Sequence, residues 1–80
     1  MYSIREMKED YFDNPLHVCS FTCDTEADVT TLPTAIAEGT GGESQYDNRK
    51  CAPGSDAYVV DPGATYKVYM LDHNNNWIGQ

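Results

Sequence analysis

The sequence predicts a mainly β fold: a small antiparallel β-meander or sandwich, with an N-terminal arm over 1–16 and one β-domain over 17–80. Within that domain, residues 34–50 read as a long central loop. Two observations carry the prediction. Apolar and polar side chains alternate over His17–Asp24 and again over Asp56–Leu71, the period of a half-buried strand. Pro-Gly, Asp-Pro-Gly and Asn-Asn-Asn then punctuate the last thirty residues into three short strands in series.

In chain order, Ile4, Met7 and Tyr11 are spaced for one face of a short helix, or for an arm lying on a neighbour. Asn14-Pro15 ends any helix, because proline disfavours the α region at the preceding residue. From His17 to Asp24, Cys19, Phe21 and Cys23 share one side of a strand and Val18, Ser20 and Thr22 the other. Asp24 or Thr25 can N-cap one helical turn, which Pro33 stops; Val29 and Leu32 are small core anchors. Residues 34–50 carry three glycines and a polar mix, with Ile36 and Tyr46 as the apparent anchors.

The meander follows. Pro53-Gly54 is a turn. Asp56–Val60 is a strand with Ala57 and Val59 on one side and Tyr58 and Val60 on the other. Asp61-Pro62-Gly63-Ala64 fits a type II turn, with glycine taking positive φ at its third position. Over Thr65–Leu71, Tyr66, Val68 and Met70 share one face and Lys67, Tyr69 and Leu71 the other. Apolar residues on both faces imply cover on both sides. A turn at Asn74-Asn75 leads to a last strand at Trp77-Ile78.

Composition narrows the function classes. Leu, Ile, Val and Phe supply 13 of 80 residues, a thin core for a chain of net charge −8. Such a chain completes its core with aromatics and cysteines, or against other subunits. Nine acids and no Lys or Arg lie between Glu9 and Asp47. That charge repels phosphate and disfavours nucleic-acid binding. No apolar run has the length of a membrane span, and the N-terminus lacks a signal-peptide apolar core. The expectation is a chain that stays in the cytoplasm unless it leaves as part of a larger particle.

Three cysteines argue against a closed disulfide framework. On one strand Cys19 and Cys23 stand about 13 Å apart, too far to bridge. Free, half-buried thiols are expected. His17, Cys19, Cys23, Cys51 and His73 are ligand-type residues, but Cys-x3-Cys on a strand is not zinc-ribbon spacing, so no metal is expected. Nothing near a thiol would lower its pKa, and Gly39-Thr-Gly-Gly lacks the Lys-Ser/Thr of a phosphate loop. No catalytic residue, cofactor or enzyme activity is expected.

Several strings form a familiar pattern: Cys23-Asp-Thr-Glu-Ala-Asp28, Leu32-Pro-Thr34, Pro53-Gly-Ser-Asp-Ala-Tyr-Val-Val-Asp61, Val68-Tyr-Met-Leu71 and Trp77. Over residues 18–78 the chain resembles small head-fibre and capsid-decoration proteins of tailed bacteriophages. The resemblance implies a non-catalytic β-module on the capsid surface of the virion. It also implies a module that is often oligomeric; a homo-oligomer, with a trimer as the expected form, docked on the major capsid protein or other virion proteins is the expectation. Residues 35–52 are longer than the pattern expects, and 1–16 have no counterpart in it. Tyr66, Val68, Tyr69 and Trp77 are the expected oligomer contacts, and Ile4, Met7, Tyr11 and Phe12 the expected docking arm. Two other readings stay open: a neck, tail-connector or tail-tip protein, and an acidic mimic of nucleic acid that blocks a host protein.

Overall fold

The computed structural model describes residues 1–9, 17–44 and 48–80, and for residues 6–9 the backbone alone. The mainly β expectation holds. Strands β1 (Tyr2–Glu9), β2 (His17–Cys23), β3 (Asp56–Val59), β4 (Val68–Leu71) and β5 (Trp77–Gly79) form one sheet in chain order. Neighbours run antiparallel except β2 and β3, which run parallel. The sheet is therefore mixed and not wholly antiparallel. The connection from Cys23 to Asp56 does not turn back beside β2 but crosses over one face, as a parallel pair requires.

The N-terminal stretch corrects the helix or free-arm expectation over residues 2–9, which form an edge strand paired with β2. Tyr2 pairs with Cys23 and Ile4 with Phe21; a bulge then inserts Arg5, and Met7 pairs with Cys19. One extra residue shifts the phase, so a three-residue step from Ile4 to Met7 keeps both opposite the inward residues of β2. Tyr11 and Phe12 lie outside the described residues.

The covering segment starts with a 3-10 helix, Glu26–Thr31, whose N-cap is Thr25. Asp28 Oδ2 accepts the Thr25 N–H at 3.0 Å, which satisfies a donor at the helix start. Val29, Leu32 and Pro33 drop from this segment into the core as anchors. Ile36, an expected anchor, is 73% exposed, and Tyr46 lies outside the described residues. Backbone bonds fasten the loop instead: Tyr2 N–H to Gly41 O, Glu43 N–H to Tyr2 O, Thr40 N–H to Thr31 O and Cys51 N–H to Thr34 O.

Beneath this layer the inward residues of the sheet form one cluster: Tyr2, Cys19, Phe21, Cys23, Ala57, Val59 and Leu71, closed by Val29, Leu32 and Cys51. Phe21 is its centre. It meets Tyr2 edge-on at 5.4 Å and Trp77 at 6.1 Å, the T-shaped geometry the aromatic quadrupole favours. Buried Ser55 joins the two halves of the sheet: its Oγ accepts the Cys19 N–H at 3.1 Å and donates to Ala52 O at 2.6 Å.

Two turns differ from each other in an instructive way. At Pro53-Gly54, Gly54 has φ +95°, and the Ser55 N–H closes on Ala52 O. At Asp61–Ala64 the expected type II turn is not formed, because Gly63 stays out of the positive-φ region. The Asp61 carboxylate accepts the Gly63 N–H at 2.9 Å, and a type II turn would flip the central peptide and point that N–H away. The β4–β5 hairpin turns through Asn75 at φ 65°, with Asp72 Oδ1 taking the N–H groups of Asn74 and Asn76.

Candidate interaction face

Strand alternation gives each inward residue an outward neighbour. The covering segment protects one face of the sheet; the other face has no cover from the described residues. Register sets Tyr58 opposite Val68, and Met70 opposite both Asp56 and Ile78. Tyr58, Val68, Met70 and Ile78 therefore form one continuous apolar strip across β3, β4 and β5. Val60 extends it past the end of β3, and Ser20 and Thr22 flank it on β2. All five apolar side chains are exposed, from 37% at Val68 to 50% at Val60. A contiguous strip of this kind, unlike scattered surface hydrophobes, marks an interaction surface.

Its charge is balanced locally. Arg5, the bulge residue, donates its Nε–H to Phe21 O at 3.2 Å, and its Nη2 lies 3.7 Å from Asp56 Oδ1. Both groups are more than two-fifths exposed, so the pair adds little stability. It does neutralise the flank of the strip. Asp24, Glu26, Asp28, Glu38 and Glu43 all belong to the segment that covers the opposite face.

No family model matches the chain, no curated protein matches it, and no solved structure matches it. The arrangement of its own residues therefore carries the functional argument.

Of the expected contact residues, Val68 lies on the open strip. Tyr69 and Trp77 point the other way, half-buried against the core. The Trp77 indole N–H donates to Pro33 O at 3.1 Å, and the Cys51 thiol donates to the same carbonyl at 3.1 Å. Tyr66 does not share the face of Val68 and Met70. The strand begins at Val68, and the Tyr66 ring instead meets Tyr69 edge-on at 5.9 Å. It also occupies the space where a Cβ on Gly79 would stand. Ile4 packs against the core, and Met7 is placed by register opposite Cys19. The strip gains Tyr58, Val60, Met70 and Ile78, whose signal was the outward phase of their strands.

At the edge of the covered face, Glu26 Oε2 accepts the Tyr69 O–H at 2.6 Å and the Tyr66 N–H at 3.0 Å. The Tyr69 hydroxyl lowers the Glu26 pKa, and the same bond pushes Tyr69 up to about 12. The three cysteines are free and buried. Burial pushes Cys19 up to about 12 and Cys23 and Cys51 up to about 11, so all three are protonated at neutral pH. Among the described residues no group of three or more His, Cys, Asp or Glu side chains is placed to hold a metal ion.

Proposed function

We propose that this chain is a structural protein of a tailed-phage virion, a non-catalytic module that attaches to the major capsid protein and to copies of itself. The observation that carries the reading is the open apolar strip on a fold whose other face is closed by its own chain. Side chains such as Tyr58 and Met70 give large contact area, as interface residues do. Protonated, buried thiols suit a packing role and not a nucleophilic one. The strings from Cys23 to Trp77 that resemble head-fibre and decoration proteins supply the virion context. Repeated attachment over a shell would let a weak single contact hold by avidity.

Mass spectrometry of purified virions of the parent phage, quantified against the major capsid protein, tests this. A ratio near one per capsid subunit, or one per few, supports decoration. A handful of copies moves the chain to the neck or tail. Absence from the particle overturns the virion reading and brings forward the acidic inhibitor.

A further inference from the structure

We infer that the uncovered face takes a second copy of this chain, the two sheets packing face to face as a two-layer sandwich. The inference rests on the reading of this face as an assembly surface and is independent of a virion. Three features of the face select a second copy over other occupants.

The first is charge. Among the described side chains, the face carries Arg5 and Asp56, which lie 3.7 Å apart and offset each other. Glu26 and Asp28, in the 3-10 helix of the covering segment, lie on the covered side of the sheet. Two copies stacked through the strip therefore hold those acids outward, although each chain has a net charge of −8. A basic partner would be drawn to the opposite side of the molecule.

The second is form. The strip is one continuous patch, and one patch meets its own copy about a two-fold axis. A trimer needs two different patches meeting head to tail. The third is area. Five strands spaced about 4.8 Å apart give each copy several hundred Å² of face, so a pair buries about 1,000 Å², near the lower limit for specific association. Packed sheets stand about 10 Å apart, a gap that side chains as long as Tyr58 and Met70 can fill from both sides.

Sedimentation equilibrium of the purified chain tests the inference at about 0.05 M and about 0.5 M salt. The expected mass is twice 8.9 kDa, with tighter association at high salt. Screening weakens the repulsion between two acidic copies and leaves the apolar contact intact. Met70→Lys places an ammonium opposite Asp56 within its own sheet, so the monomer keeps its fold while the interface gains a charge. Val68→Lys is a second variant at an exposed position. Each is expected to raise the dissociation constant about 10-fold or more with an unchanged far-UV spectrum. A mass of 8.9 kDa at every concentration and salt overturns the inference, as does a trimer, or a dimer that neither substitution weakens. A monomer found in virions overturns this inference and the attachment between copies, and keeps the virion assignment. A dimer absent from virions keeps it and overturns the virion assignment.

Discussion

The Tyr69 hydroxyl donates to Glu26 Oε2 at 2.6 Å, and this bond ties the start of the covering segment to the second-last strand across 43 residues of chain. The Tyr66 amide donates to the same oxygen, so a single carboxylate fixes both tyrosines. Glu26 titrates below its ordinary 4.5 and Tyr69 is pushed up to about 12. The contribution of Glu26 is complete above pH 4.5 and is lost as pH falls through its lowered value. That of Tyr69 is complete below pH 10.0 and is lost as pH rises through about 12. In an ultraviolet titration Tyr69 should ionise late, and Glu26→Gln should return that step toward 10.0. An unchanged late step in Glu26→Gln would assign it to another residue.

Pro33 O accepts from both the Cys51 thiol and the Trp77 indole, so one carbonyl of the covering layer holds both β5 and the segment that leads into β3. Trp77→Phe keeps an aromatic ring against Phe21 and removes the indole donor. Urea unfolding should show a loss of about 1–2 kcal/mol with an unchanged slope. No change in midpoint would show that the bond contributes nothing net.

Two glycines should fail for different reasons. A Cβ at Gly39 would overlap the Tyr2 hydroxyl and stand 2.8 Å from Pro33 Cδ, both in the buried layer. Gly39→Ala should cost about 2 kcal/mol or more through overpacking. At Gly54 nothing lies within 4 Å, but φ is +95°. Gly54→Ala should cost about 1 kcal/mol through the backbone alone. Thermal melts of the two variants, compared with the parent, check the order.

Thiols held at about 11 to 12 present little thiolate at pH 8. The native chain should react with a disulfide reagent about two orders of magnitude more slowly than free cysteine, and all three thiols should become reactive together in denaturant. Fast reaction of any one thiol in native conditions would place it at the surface.

Much of this sheet is legible in the residues. The alternation Cys19, Phe21, Cys23 is the inward face of β2, and the turn residues mark β3, β4 and β5 correctly. Thr25 is the N-cap of the short helix, and the Asp28 carboxylate takes its N–H. The misreadings have physical causes. Arg5 sits in a bulge, which turns a strand into a three-residue spacing that imitates a helix. The Asp61 carboxylate captures an amide and selects the other turn type. Tyr66 precedes the strand and so escapes its alternation. Which side of β4 faces the core was hidden because Tyr69 and Leu71 are as apolar as Val68 and Met70. The covering segment decides it, and that segment has no periodic pattern of its own. The parallel pairing of β2 with β3 was hidden for the same reason.

That single parallel ladder has a kinetic consequence. β3, β4 and β5 are joined by the local connections 60–67 and 72–76, so their pairing closes small loops and needs little chain search. The β2–β3 ladder closes only when Ser20 finds Asp56, with the whole crossing segment between them. Loop-closure entropy makes this the costly step. Ser55 stands where that step is completed: its hydroxyl takes the Cys19 amide, 36 residues away. Folding should accordingly be paced by the meeting of the two halves at Ser55, and lengthening the crossing segment should slow folding more than it lowers stability.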